Sequence, residues 1–168
     1  AANGDGPEGM LMRGLMDLHG ADPDDYLTYV HDIDLSPVQP NPAMDAALAA
    51  LPGRKLIFTN GSAPHAERVM DKLGVAHHFE AVYDIVAADY RPKPEPAVYD
   101  DLVARHGLAT SRTVMVEDMA RNLKPAHELG MTCIWVSTDS DWARDGHDED
   151  HVHHVVDDLT DWLGQIVG

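Results

Sequence analysis

Three short stretches carry residues whose types can act on a phosphoryl group. Thr59-Asn60-Gly61-Ser62 supplies a hydroxyl, an amide and small residues; Lys93 stands between Pro92 and Pro94; Glu117 and Asp118 are adjacent acids. A threonine hydroxyl and the backbone amides at a helix start can donate to phosphate oxygens. Lys93 can balance the charge on a phosphate and on an attacking carboxylate. Asp118 offers the hard oxygen ligands that suit Mg²⁺, with Glu117 as a further ligand or its support. Each stretch alone has a plainer reading. The first is an ordinary strand-to-helix turn with capping residues, the second a solvated helix start, the third a helix N-terminus favoured by the dipole. Short motifs are promiscuous one by one; their order, each at a strand end, makes the set specific.

The elements that must position them follow from periodicity. Leu11, Leu15 and Leu18 form a helical stripe ended by Gly20, and Asp22-Pro23 opens a second helix to about Val30. Pro37, Pro40 and Pro42 make 36–42 a connector. Beyond Pro42 helices and apolar strands alternate: helix to Leu51, strand 55–58, helix to Leu73, strand 81–87, helix 95–106, strand 113–116, helix 119–129, strand 132–136, a short strand at 155–156 and a last helix 159–166. That alternation predicts an α/β fold with a parallel, Rossmann-like sheet covered by helices on both faces. Ligands of such sheets sit beyond the carboxyl ends of the strands, which is where Thr59, Lys93 and Asp118 fall. The expected organisation is a disordered leader at 1–8, a helical cap and connector at 9–41, and the α/β core at 42–168.

Composition narrows the class. The 168 residues are 44% hydrophobic and 24% charged, the balance of a globular domain. The net charge of −17 argues against nucleic acid, whose phosphates call for Lys and Arg. No apolar run is long enough for a membrane span. A single cysteine, Cys133, allows no internal disulfide and is read as a small buried hydrophobe. With no basic leader ahead of an apolar stretch, a cytoplasmic home is expected. An acidic chain that handles phosphates needs local relief, which a divalent cation supplies. The expected partner is therefore a small phosphate ester.

Ile57-Phe58-Thr59-Asn60-Gly61-Ser62, Arg91-Pro92-Lys93-Pro94-Glu95-Pro96 and Val116-Glu117-Asp118 together resemble motifs two, three and four of the haloacid dehalogenase superfamily. Asn60-Gly61-Ser62 with His65-Ala66, and Glu117-Asp118 with Arg121-Asn122-Leu123, resemble its pyrimidine 5′-nucleotidase branch. The resemblance runs from about Leu15 to Leu163. It implies phosphate binding at Thr59, a substrate-loop role for Asn60 and Gly61, the motif-three lysine at Lys93, and Mg²⁺ at Asp118 with Glu117. It also implies an opening strand ending in Asp-x-Asp-x-Thr, and nothing of that kind precedes the helices at 10–30. The expectation is a truncated member without the two catalytic aspartates. Asp32-Ile33-Asp34-Leu35-Ser36 is the one alternative, with Asp32 as nucleophile and Asp34 as acid/base.

A missing central strand leaves edges that need covering. The strands at 55–58 and 113–116 can close on each other, residues 27–36 can move in, or a second copy can fill the space, so a homodimer is expected. The expected function is a metal-assisted phosphate-ester hydrolase, weak or promiscuous and without the family's nucleophile. The alternatives are a non-catalytic phosphate-binding protein, a phosphatase using Asp32, and activity arising at a dimer interface. The His-rich stretch from His147 to His154 reads as a solvated acidic loop, with metal binding as its second reading.

Overall fold

The computed structural model describes residues 14, 16, 18–20 and 22–168. The expected leader and most of the first expected helix lie outside the described residues. Gly14, Met16, Leu18 and His19 are helical, and Gly20 turns left-handed at φ 60°. Helix α1 (Pro23–Val30) opens on a proline, whose missing N–H costs nothing at a first helical position. Helix α2 (Pro42–Ala50) is capped by Asn41, whose side chain accepts from the Met44 amide at 3.0 Å. Strand β1 (Leu56–Phe58) leads into α3 (Ala63–Leu73), which Gly74 closes at φ 79°. A 3₁₀ turn (Ala76–His78) precedes β2 (Ala81–Tyr83) and α4 (Pro96–His106). Then come β3 (Val114–Glu117), a 3₁₀ turn (Ala120–Leu123), α5 (Lys124–Glu128), β4 (Thr132–Val136), β5 (His154–Val156) and α6 (Leu159–Val167).

Every ladder is parallel, as expected of the α/β class. β1 pairs with β2, and β3, β4 and β5 form a second sheet in that order. The described residues fall into two compact units. The first runs to Pro92 and includes Leu163–Gly168; the second is Lys93–Trp162. In the first, Leu27 and Ile85 are buried together, with Met16, Tyr26 and Tyr90 packed on them. In the second, Val98, Tyr99, Leu123, Cys133 and Trp135 form the interior.

Two element boundaries differ from expectation. The strand expected over 81–87 stops at Tyr83, because the Asp84 carboxylate takes the Ala87 amide at 2.8 Å and bends the chain into a turn. The helix expected over 119–129 is a 3₁₀ turn followed by one short α-helix. Pro125, with no amide hydrogen, suits the start of α5 and not the middle of a longer helix. Residues 27–30 belong to α1 and 31–36 to the loop after it, so the substitute strand expected over 27–36 is not formed.

Candidate active site

In the second unit, β3 ends on Glu117 and the chain curls back through the 3₁₀ turn. Glu117 Oε2 receives a hydrogen bond from Lys93 Nζ at 2.6 Å, and Oε1 receives one from Asn122 Nδ2 at 3.0 Å. The Lys93 and Glu117 side chains are only 6% and 9% exposed, so each charge depends on the other and on its remaining hydrogen bonds. Asn122 is fixed in turn, because the Tyr99 hydroxyl donates to its carbonyl at 2.6 Å. Burial pushes the Tyr99 phenol far above its ordinary range, so it stays a donor. The Asn122 side chain thus reaches the same carboxylate as Lys93.

Asp118 follows Glu117 at the solvent edge. Its backbone carbonyl accepts from Trp135 Nε1 at 2.8 Å, which pins the chain at that point. Its carboxyl is held above the usual carboxylate range, first by loss of water and then by the charge of Glu117, with Lys93 working in the opposite direction. Asn122 Oδ1 is buried without a hydrogen-bond partner. The exposed Asp118 carboxyl is a hard oxygen donor of the kind that fits a divalent cation such as Mg²⁺, while Glu117 beside it keeps both oxygens on Lys93 and Asn122.

The first unit holds the other expected group. Thr59 extends the β1 ladder by donating its amide to the Tyr83 carbonyl at 3.0 Å. Its Oγ1 accepts from the Gly61 amide at 2.9 Å and still has a hydrogen to donate. Gly61 is a close approach: a Cβ there would lie 3.2 Å from His31 Nε2. Ser62 precedes α3 but caps nothing with its side chain; its Oγ pairs with His31 Nδ1 at 3.0 Å, and His31 stacks on His65. The capping is done by Asp84, whose Oδ2 takes the Ala63 amide at 2.8 Å. Two amides expected to face a phosphate are thus engaged, one within the loop and one by Asp84. Asp84 escaped the sequence reading. Its one signal is an acid set inside the apolar run Val82-Tyr83-Asp84-Ile85-Val86.

Asp32 and Asp34 lie in the exposed loop after α1, next to His31, which meets the loop that follows β1. Asp34 accepts from the Ser36 hydroxyl at 2.7 Å and the Ser36 amide at 2.8 Å, which hold its carboxyl below the usual range. The His-rich stretch is engaged with its own surroundings. His147 pairs with the Arg144 carbonyl, His151 with the Ala120 carbonyl, and His153 with the Cys133 amide and with His127. Cys133 is fully buried, and desolvation pushes its thiol up to about 11.

The profile of the haloacid dehalogenase-like hydrolases matches residues 14–130, well over half of the chain. The chain belongs to that family. Solved structures agree with this at the level of fold. L-2-haloacid dehalogenase from Xanthobacter autotrophicus, with chloropropionic acid covalently bound, is 19% identical. That match covers 96% of this chain and 83% of the dehalogenase, with a TM-score of 0.62. A phosphatase of the family from Thermococcus onnurineus is 17% identical over 96% of this chain and 88% of its own, with a TM-score of 0.59. A family enzyme from Bacteroides thetaiotaomicron, an aspartate-to-alanine variant in complex with magnesium and inorganic phosphate, is 19% identical. It covers 80% of this chain and 72% of its own, with a TM-score of 0.52. No curated protein matches the chain by sequence. Among the described residues of this family member, no helix is long and apolar enough to cross a membrane.

Proposed function

We propose that this hydrolase cleaves phosphate esters with a divalent cation, Mg²⁺ by the nature of its ligands, held at Asp118 with support from Glu117. The observation that carries the reading is the buried Lys93–Glu117–Asn122 network with Asp118 at its edge. A cation there would supply Lewis-acid polarisation of a phosphoryl oxygen. Lys93 offsets the charge of Glu117 beside the cation. Asn122 and Lys93 fix both oxygens of Glu117, so the carboxylate cannot swing away. The sequence pattern gives Thr59 the phosphate-holding role, with Asn60 and Gly61 in the substrate loop. In this reading water is the attacking group at the cation, and Asp32 is the alternative nucleophile. The similarity of Asn60-Gly61-Ser62 and His65-Ala66 to the pyrimidine 5′-nucleotidase branch makes pyrimidine 5′-monophosphates the first natural substrates to try.

The test is hydrolysis of a chromogenic phosphate monoester with Mg²⁺ or with chelator, using wild type, Asp118→Ala, Asp32→Ala and the surface control Gln165→Ala. Metal-dependent turnover that is lost in Asp118→Ala and kept in Asp32→Ala is the expected result. Loss in Asp32→Ala as well would transfer the nucleophile's role to Asp32. Turnover of a 2-haloacid in place of the ester would overturn the substrate class.

A second reading, phosphate binding without turnover, draws on Asp34. A carboxyl held as an anion by Ser36 is a poor proton donor at neutral pH, which weakens the one aspartate pair in the described residues that resembles motif one. Calorimetric binding of inorganic phosphate with no hydrolysis by any variant would favour it. A second copy as partner is part of the proposal, and activity that falls on dilution in step with dimer dissociation would support it.

A further inference from the structure

Three metal-ligating groups meet in the first unit, on elements that carry none of the motif residues. Asp45 lies in the first turn of α2, and His77 and His78 lie in the 3₁₀ turn that follows α3. Asp45 Oδ1 is 2.7 Å from His78 Nε2 and 3.2 Å from His77 Nε2. One ligand atom from each residue lies within 4.8 Å of the other two. The two imidazoles are 4.0 Å apart between centroids. We propose that Asp45, His77 and His78 form a site for one divalent transition-metal ion of the Zn²⁺ class.

Donor chemistry selects the ion. Two of the three ligands are imidazole nitrogens, which suit Zn²⁺, Ni²⁺, Co²⁺ or Cu²⁺ and not Mg²⁺ or Ca²⁺. Distance allows it. A tetrahedral ion about 2.0–2.1 Å from its ligands holds them roughly 3.4 Å apart. The observed 2.7 and 3.2 Å separations need only a small opening to admit it. Preorganisation favours it as well. The Asn41 amide donates to the Leu73 carbonyl at 2.9 Å, tying the start of α2 to the end of α3 and so joining the two ligand-bearing segments. Val75, 2% exposed, anchors the turn from inside, and the His78 side chain is only 10% exposed. The His77 side chain, 65% exposed, leaves an approach from solution and room for water at the remaining coordination positions. A simple acid–imidazole hydrogen bond accounts for one ring beside Asp45. A second imidazole nitrogen beside the same oxygen puts a third ligand atom within reach of one ion. The ion would brace α2 against the turn after α3, and it differs in ligand chemistry from the cation at Asp118.

Equilibrium dialysis of the full chain, with any purification tag removed, against buffered Zn²⁺ is the test, with Co²⁺ absorption as a readout of coordination. Wild type is expected to bind one equivalent more than His77→Gln or Asp45→Asn, or to bind that equivalent at least ten-fold tighter. A hundred-fold excess of Mg²⁺ should leave it in place, and the Co²⁺ ligand-field bands should vanish in both variants. His77 and Asp45 are exposed enough for both variants to fold, which circular dichroism checks. Equal stoichiometry and affinity in wild type and both variants, or displacement by Mg²⁺, overturns the proposal.

Discussion

Glu117 has both oxygens committed, one to Lys93 and one to Asn122, and this decides how the candidate site responds to substitution. Lys93→Met removes a buried cation and leaves a buried anion. Urea unfolding should show a loss of about 3–5 kcal/mol, most of it recovered when Glu117→Gln is added, because an unpaired buried charge costs far more than a missing pair. Asp34 is shifted in the opposite direction to Asp118. Its folded-state value lies below the ordinary one, so its contribution to stability is present above the ordinary carboxylate range and is lost as pH falls through the lowered value. Ser36→Ala removes the hydroxyl whose hydrogen bond holds Asp34 down most. An NMR titration should then move the Asp34 carboxyl up toward its ordinary value, and the stability difference from wild type should shrink as the pH drops below the carboxylate range. An unchanged Asp34 titration would show that Ser36 does not hold it.

Among the elements, most boundaries were legible because they rest on local chemistry. Pro23 and Pro42 open helices, Gly74 and Gly107 close them in left-handed conformations, and apolar runs mark β1, β3 and β4. What was not legible depends on contacts between segments distant in sequence. Asp84 spans from β2 to the start of α3, so no local pattern announces that it ends one element and caps another. Asp84→Ala would leave the Ala63 and Ala87 amides without their acceptor. Thermal or urea unfolding should show a loss of about 1–3 kcal/mol, the cost of stranding part-buried donors. Wild-type stability in that variant would mean water replaces the carboxylate. The candidate site divides the same way. Lys93, Glu117 and Asp118 were visible as residue types, but that Glu117 serves Lys93 and Asn122 emerges only from the fold. Asp45 with His77 and His78 gave no signal at all, because 31 intervening residues separate the acid from the first imidazole.

At the scale of the whole molecule, the net charge of −17 works against an anionic substrate. Lys93 is largely neutralised by Glu117, so local relief must come from the cation proposed at Asp118. Long-range repulsion is screened over about 10 Å at 0.1 M salt. kcat/KM for a phosphate monoester should therefore rise as ionic strength increases from about 10 to 150 mM at fixed free Mg²⁺, the reverse of an enzyme that steers its substrate in. A fall would mean that a positive local field governs the encounter. Finally, the chain's single thiol, Cys133, is sealed in the interior of the second unit, with its thiolate disfavoured. The protein is thus already a clean background for site-directed labelling. A cysteine placed at exposed Val155 in one unit and another at exposed Tyr29 in the other would take maleimide fluorophores or nitroxides alone. Energy transfer or dipolar spectroscopy could then follow the two units directly, with no native cysteine to delete first.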